Sequence, residues 1–327
     1  MELCMMVLIA ISSVICMVLF KNWNFWCKCN VCLVGKTAIV TGGASGLGYQ
    51  VALALASKGC RVIIADISDS SEVIERIKRL TTNQLIIGKK IELQSLQSVR
   101  DFASDILKTE SRLDILVCNA GIGEYRKKYT TEDGLERTMH INYFGHFLLT
   151  HLLLDLLKKS APSRIVFTSS LTAYLSDLSL ENLHPQPEYY ERLFIKLNGG
   201  VYSNSKLALT AAAKSFGQKL DGTGVTANVV HPGIVKTDIF RNAIKNDRNI
   251  FGMFFLIFVY LLGKTPTEGA QTLIHVAQSE ETKTTTGQSF IEGKIRPRPL
   301  QLTDTFCSQL WDTSIKCTGL QPQELGC

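Results

Sequence analysis

The sequence predicts an α/β fold in which helices cover both faces of a doubly wound parallel sheet. Short apolar segments alternate with amphipathic segments along most of the 327 residues, and a glycine-rich turn follows the first of them. Hydrophobic residues make up 46% of the chain and charged residues 20%, which is enough to bury one large core. The net charge of +6 is dispersed and forms no basic run, so the sequence does not indicate a nucleic-acid-binding protein.

Residues 1–35 predict a membrane anchor helix followed by a juxtamembrane segment. Residues 4–20 carry no charge, and this run is close to the shortest helix that spans a bilayer. A cleaved signal peptide is the alternative, but no cation precedes the run and no small-residue cleavage pattern follows it. Lysines on the C-terminal side of the run favour a cytosolic position for the main domain.

Three cysteines follow the predicted anchor, namely Cys27, Cys29 and Cys32. No further cysteine or histidine lies nearby in the sequence to complete a tetrahedral site, so no metal is predicted. Palmitoylation beside a membrane is one interpretation of the cluster, and unmodified thiols in a reducing compartment are the other.

A dinucleotide-binding unit is predicted from residue 36 onward. The segment TAIV indicates a strand, TGGASGLG a turn, YQVALALASKG a helix and RVIIAD a second buried strand. Gly42 permits the tight turn, Gly46 lets the backbone approach a pyrophosphate, and Gly48 allows close packing of helix on strand. The helix N-terminus then faces the phosphates with free N–H groups.

Asp66 ends the second strand of this unit and indicates which cofactor binds. A carboxylate at this place accepts hydrogen bonds from an adenosine ribose and repels a 2′-phosphate. Ile67, not an arginine, follows it, and Ser45, not a basic residue, precedes Gly46. NAD is therefore the expected cofactor, with NADP as the alternative.

The main domain is expected to continue this alternation to residue 300. Further strands are predicted in QLIIGKKIEL, LDILVCNAG, SRIVFTSS and GVTANVVHPG, and helices in SLQSVRDFASDILKT, HINYFGHFLLTHLLLDLLKK and GKTPTEGAQTLIHVA. The uncharged residues 250–263 lie in the predicted substrate loop, 240–265. This segment suits equally a buried core helix and a lid over an apolar pocket. In the second case the lid would contact the substrate through Phe251, Phe254, Phe255 and Phe258. Residues 301–327 predict a C-terminal packing helix and tail.

Tyr202 and Lys206 are a candidate pair for proton transfer. They are four residues apart in a segment with helical character, so they share one helical face. A phenol loses its proton near pH ~10, and a fixed ammonium nearby lowers that pKa. The spacing alone is common, so the pair gains weight only from its context.

Four motifs in that context resemble those of the short-chain dehydrogenase/reductases, in the same order. They are TGGASGLG, CNAG at 118–121, the Tyr202–Lys206 pair and HPGIVKTD at 231–238. The resemblance implies a Rossmann fold and an NAD(P)-dependent alcohol dehydrogenase or carbonyl reductase. It implies that Asn142 holds a water for proton relay, that Ser170 binds the substrate oxygen, and that Tyr202 is the acid/base. Lys206 would lower the pKa of that tyrosine and bind the nicotinamide ribose.

The same resemblance implies a set of cofactor-binding residues along the strand ends. They are Thr41, Gly42, Ser45, Gly46, Leu47, Gly48, Asp66, Glu92, Asn119, Ala120, Gly121, Tyr202, Lys206, Pro232, Gly233, Ile234 and Thr237. Glu92 stands where the family usually has an aspartate that recognises the adenine.

The long insertion between Ser170 and Tyr202 resembles the membrane-bound, retinol dehydrogenase-like branch, and polyprenol/dolichal dehydrogenases are similar too. The implied substrate is a lipophilic alcohol with its aldehyde or ketone, such as retinol and retinal. Polyprenol or dolichal, a steroid and a fatty aldehyde are alternatives, and a catalytically silent nucleotide-binding sensor or scaffold is the alternative from another class. The implied location is the endoplasmic reticulum or a lipid droplet, with the main domain facing the cytosol. A homodimer is one option for the assembly.

Overall fold

The computed structural model describes residues 24–123, 130–183, 200–237, 259–261, 263–299 and 301–326. These residues form one sheet with the strand order β3-β2-β1-β4-β5-β6-β7-β8. The strands are β1 Thr37–Thr41, β2 Arg61–Asp66, β3 Ile86–Lys90, β4 Ile115–Cys118, β5 Ser163–Thr168, β6 Val225–His231, β7 Ser289–Ile291 and β8 Lys294–Arg296. The order reverses between β1 and β4, so a ligand crevice is expected at the carboxyl ends of these strands.

The sheet is longer than predicted and is not parallel throughout. Strands β1 to β7 pair in parallel, whereas β8 pairs antiparallel with β7. The sequence analysis missed both β7 and β8 because each has only three residues, and β8 is exposed along its whole length. Neither strand therefore forms the apolar run by which a buried parallel strand is recognised.

Helices cover both faces of the sheet, which confirms the doubly wound architecture. One apolar core lies between the sheet and α1, α2 and α8, and the other lies between the sheet and α3 to α7 with α9. The helices are α1 Gly46–Ala56, α2 Ser71–Thr81, α3 Leu96–Thr109, α4 Arg137–Met139, α5 Gly145–Leu152, α6 Leu154–Lys159, α7 Gly200–Lys219, α8 Pro266–Gln278 and α9 Asp304–Thr318.

The long apolar helix predicted over residues 140–159 is divided in the structure. A π-helical turn, His140–Phe144, separates α4 from α5, and Leu153 separates α5 from α6. Apolar periodicity cannot distinguish a π turn from α-helix, because one wider turn hardly changes which residues face the core. Gly145 follows the π turn and lies close to the loop after β3. A Cβ added at Gly145 would be 2.6 Å from the Leu93 carbonyl oxygen.

The C-terminal helix α9 packs against α5 and α7, which the sequence did not specify as its partners. The Trp311 ring contacts Phe147, His151 and Phe216 at centroid distances of 4.7 to 5.0 Å. Within the described ranges, no helix has both the length and the apolarity to cross a bilayer. The predicted anchor at residues 4–20 and the four phenylalanines of the predicted lid lie outside the described residues.

Candidate active site

The turn after β1 is built by glycines that are needed for space as well as for backbone conformation. Gly42 and Gly46 adopt left-handed φ values of 65° and 54°. Gly48 lies in the first turn of α1, where a Cβ would be only 2.1 Å from the Gly42 carbonyl oxygen. No other residue fits there, so α1 begins directly against the turn. Its first N–H groups therefore point to the crevice above the sheet.

Thr41 joins this turn to the segment after β4. Its hydroxyl oxygen accepts the N–H groups of Asn119 and Ala120, at 2.9 and 3.0 Å. The Asn119 side-chain amide donates in return to the Thr41 carbonyl oxygen at 3.0 Å. These bonds connect the two central strands at the point where the strand order reverses.

Asp66 connects the end of β2 to the same turn. One carboxylate oxygen accepts the Ala44 N–H at 3.1 Å, and the other accepts the N–H and hydroxyl of Ser68. The carboxylate also lines the crevice, so a negative charge lies at the end of β2 where the sequence predicts the adenosine ribose.

The carboxyl ends of the strands enclose one crevice of about 1130 Å³. It brings together most of the residues that the sequence singled out: Gly42, Ser45, Gly46, Leu47, Asp66, Glu92, Asn119, Ala120, Gly121, Ser170, Tyr202, Lys206, Pro232, Gly233 and Thr237. Thr41 and Asn142 are buried beneath the crevice. Gly48 lies against two of the lining residues, Gly42 and Asn119. The Ile234 side chain is 37% exposed and does not line the crevice; its neighbour Val235 does.

Tyr202 and Ser170 meet at the floor of the crevice. Tyr202 lies in the first turn of α7, and Ser170 precedes a 3₁₀ turn, Leu171–Leu175. The Ser170 hydroxyl hydrogen-bonds the Tyr202 phenol, which lowers the pKa of the phenol. Burial has the larger effect and raises the pKa of Tyr202 to about 12. The phenol therefore holds its proton at neutral pH.

Lys206 lies one turn further along α7, with its ammonium 5.5 Å from the centre of the Tyr202 ring. It donates to the Thr168 carbonyl oxygen at 2.9 Å, and burial lowers its own pKa to about 8. The sequence predicted that this ammonium lowers the pKa of the tyrosine. In the structure desolvation outweighs any such effect, because both groups are removed from water together.

Asn142 lies in the π turn and holds three parts of the site together. Its carbonyl oxygen Oδ1 accepts the Ile122 N–H at 2.8 Å, and its Nδ2 donates to the Ile122 carbonyl oxygen at 3.0 Å. The same Nδ2 donates to the Ser205 hydroxyl at 3.0 Å, beside Tyr202 on α7. The role of Asn142 in holding a water stays a prediction.

His146 belongs to this arrangement, although the sequence analysis did not select it. Its Nε2 is 2.9 Å from the Thr41 hydroxyl, and its Nδ1 is 3.0 Å from the Asn142 backbone carbonyl oxygen. Burial lowers the pKa of His146 to about 4, so the ring is neutral. Its position one turn after Asn142, on the same face, is the signal that could have found it.

Glu92 and the unpredicted Arg137 line the far end of the crevice. Gln94 bridges them, since its Nε2 donates to Glu92 at 2.6 Å and its Oε1 accepts from Arg137 at 3.1 Å. The residues present fit a dinucleotide: a glycine-rich turn, a helix N-terminus, a strand-end carboxylate and an asparagine amide along one crevice. A phenol and a hydroxyl lie at the floor of the same space.

The family of the chain is shown by comparison with known proteins. The sequence model of the short chain dehydrogenase family matches residues 36–178 and 196–248. Mouse retinol dehydrogenase 13 is 37% identical over 90% of this chain and 87% of its own length. Human retinol dehydrogenase 11 is 36% identical over 90% of this chain and 89% of its own length.

Solved structures share the fold. A protein from Mycobacterium paratuberculosis superimposes with a TM-score of 0.67 at 24% identity, covering 90% of this chain and 98% of that one. RhlG of Pseudomonas aeruginosa, solved as an active-site complex with NADP, gives a TM-score of 0.61 at 25% identity, covering 79% and 95%. The chain therefore belongs to the short chain dehydrogenase family, in its retinol dehydrogenase-like branch, and is an NAD(P)-dependent oxidoreductase.

Proposed function

We propose that this oxidoreductase interconverts a lipophilic alcohol and its aldehyde or ketone, with Tyr202 as the proton donor and acceptor. The observation that carries the proposal is that Ser170, Tyr202 and Lys206 line one crevice, with the Lys206 ammonium 5.5 Å from the centre of the Tyr202 ring. A bound nicotinamide cofactor supplies the hydride to a carbonyl carbon, or accepts it from an alcohol carbon. The chain must then move one proton to or from the substrate oxygen.

Tyr202 and Ser170 divide that task. In reduction, the Tyr202 hydroxyl gives its proton to the oxygen as the hydride reaches the carbon, and in oxidation the phenolate takes the proton back. The Ser170 hydroxyl hydrogen-bonds the same oxygen and holds it in place. Because burial raises the pKa of Tyr202 to about 12, the phenol carries the proton that reduction requires.

Lys206 and Asn142 support this floor. The Lys206 ammonium is held by the Thr168 carbonyl and can still donate to a ribose hydroxyl, since an ammonium has three N–H bonds. Asn142 fixes Ile122 against α7 and so keeps the floor in place. A water held by Asn142 would serve proton relay, as the resemblance implies.

A lipophilic substrate is supported by the wall of the crevice and by the relatives. Val259, Leu261, Pro266 and Ile122 contribute to its lining, and Tyr260 beside them is 76% exposed. The similar human and mouse proteins are named retinol dehydrogenases. Retinal is therefore the first substrate to test, with polyprenal or dolichal, a steroid ketone and a fatty aldehyde as alternatives.

We also propose that NAD is preferred and that residues 4–20 anchor the enzyme in a membrane. The Asp66 carboxylate is the reason for the first, since it would repel a 2′-phosphate. The uncharged run is the reason for the second, and it would place the enzyme on the endoplasmic reticulum or a lipid droplet, facing the cytosol.

One experiment tests these assignments together. The full chain is purified in detergent micelles and assayed with retinal, polyprenal, a steroid ketone and a fatty aldehyde, with a sugar ketone as the polar control. Each substrate is offered with NADH and with NADPH. We expect reduction of at least one lipophilic carbonyl, none of the sugar, and a higher kcat/KM with NADH. Tight cofactor binding without reduction of any carbonyl would indicate the silent sensor instead.

A further inference from the structure

The hairpin between β7 and β8 has an unusual residue in its turn. Its two loop residues, Glu292 and Gly293, have left-handed φ values of 51° and 69°. Two-residue hairpin loops of this kind favour asparagine or aspartate followed by glycine. A glutamate in the left-handed region costs about 1 kcal/mol, because its Cβ crowds the following carbonyl. A glutamate here therefore needs a reason outside the turn.

The Glu292 carboxylate joins two segments that are distant in sequence. One oxygen accepts the Phe25 N–H at 3.0 Å, and the other pairs with the Lys264 ammonium. The Phe25 ring lies against Gly293, where a Cβ would be 2.4 to 2.6 Å from three of its carbon atoms. Both charged side chains of the pair are largely shielded, at 15% exposure for Lys264 and 31% for Glu292.

Lys264 connects this hairpin to the loop after β6. Its N–H donates to the Ile234 carbonyl oxygen at 2.8 Å, and its own carbonyl accepts the Lys236 N–H at 2.9 Å. Its side chain covers Gly233, since a Cβ there would be 3.5 Å from the Lys264 Cε. Gly233 and Lys236 line the crevice. The ion pair therefore fixes the Lys264 side chain against Gly233. Gly233 belongs to the loop that forms one side of the proposed cofactor site.

We propose that Glu292 is a positioning residue that couples residues 24–25 to the loop at 232–237, and through it to cofactor affinity. The inference rests on the proposed role of that loop in cofactor binding. Residue 25 follows the predicted anchor closely in the sequence, so the pair would connect the segment after the proposed anchor to the crevice. Such coupling is reciprocal, because a cofactor that favours the ordered loop must also tighten the Phe25 contact.

The first test is the charge of the pair. Glu292→Gln keeps the length of the side chain and removes its charge, and we expect it to raise the dissociation constant for NADH by at least about fivefold. The kcat at saturating cofactor should hardly change, since the floor is untouched. Lys264→Gln should give the same loss, and the double variant no more than either single one. Additive losses would overturn the proposal.

Two controls separate coupling from a loss of fold. Glu280→Gln removes an exposed carboxylate that pairs with Lys283, and it should leave cofactor affinity unchanged. Glu292→Asn places a residue in the turn that tolerates left-handed φ, so its melting temperature should equal or exceed that of the wild type. Its cofactor affinity should nevertheless fall as in Glu292→Gln. Wild-type affinity in Glu292→Asn would overturn the proposal.

The reciprocal effect is measured by hydrogen exchange in residues 24–33 of the full chain. Adding NADH should slow exchange of the Phe25 amide in the wild type and leave it unchanged in Glu292→Gln. Equal protection in both would contradict the coupling. If the wild type binds neither NADH nor NADPH, the proposed function itself fails, which is a different result from equal binding by wild type and variant.

Discussion

The two sides of the crevice are built in different ways. In the nucleotide wall, residues 42–48 with 119–121, backbone atoms are in direct contact, as where Gly48 meets the Gly42 carbonyl, and Thr41 and Asn119 side chains add hydrogen bonds. The loop wall, residues 232–237 with 259–261, pairs its backbone with Lys264 and is covered by side chains, above all by Lys264 over Gly233 and by its pairing with Glu292. A backbone contact cannot adjust to an added atom, whereas a side chain can move. The first wall should therefore be rigid and the second adjustable.

The largest effect is expected in the nucleotide wall, from Gly48→Ala. Its Cβ would overlap the Gly42 carbonyl oxygen at 2.1 Å and Asn119 Nδ2 at 2.7 Å. We expect a loss of about 3 kcal/mol in the free energy of unfolding, measured by urea denaturation, and no cofactor binding.

Gly134→Ala is the matched control, because Gly134 has a left-handed φ of 77° but no atom of the described residues lies within 4 Å of its Cβ position. It should lose only about 1 kcal/mol, from backbone strain. Similar losses in the two variants would show that close contact does not define the nucleotide wall.

The next-largest effect is a loss of stability at acid pH, caused by one buried histidine beneath each wall. His146 supports the nucleotide wall through Thr41, and His231 ends β6 below the loop wall, with Nε2 2.9 Å from the Ser289 hydroxyl. Burial lowers the pKa of each to about 4, so the folded protein holds them neutral while the unfolded chain protonates them below pH ~6.5. Stability is therefore lost as the pH falls from 6.5 towards 4, by about 2 kcal/mol at pH 5 for each ring.

Urea unfolding at pH 7.5 and pH 5 checks this expectation. A His231→Gln variant, which has no proton to gain, should lose less stability between the two pH values than the wild type does. The same loss in both proteins would show that His231 does not contribute to the acid sensitivity.

The smallest effect is expected where both walls touch α8. A Cβ at Gly269 would lie 2.5 Å from a methyl group of Val235 in the loop wall and 3.0 Å from one of Leu47 in the nucleotide wall. Alanine favours a helix over glycine by about 1 kcal/mol, which offsets part of the crowding. Gly269→Ala should thus unfold at nearly the wild-type urea concentration and bind NADH a few-fold more weakly. A loss as large as that of Gly48→Ala would contradict an adjustable loop wall.

Most of the nucleotide wall was predictable because residues 42–48 and the elements beside them are continuous in sequence. The strand, the glycine turn, α1 and Asp66 all lie within residues 37–66, and the spacing of Gly42, Gly46 and Gly48 already implies the contacts that the structure contains. Most site residues of the later strands could be identified by family resemblance. They were expected to lie together, because the carboxyl ends of parallel strands lie at one edge of the sheet.

The pairing that supports the loop wall and the charge state of the floor were not predictable in this way. Lys264 and Glu292 are brought together by a hairpin whose three-residue strands have no apolar pattern. The spacing of Tyr202 and Lys206 indicates their proximity but not their common burial, which is what raises the pKa of one and lowers that of the other. His146 acts through a bond to Thr41, more than 100 positions away in the chain.

The central claim is that the Tyr202 hydroxyl delivers the proton. The most direct measurement is rapid mixing of the NADH-bound enzyme with its best aldehyde, following nicotinamide absorbance through a single turnover in wild type and Tyr202→Phe. The variant should bind NADH as tightly as the wild type, because only one oxygen is removed, and should transfer hydride about a thousandfold more slowly. A variant that binds NADH normally and transfers hydride at the wild-type rate would contradict the assignment.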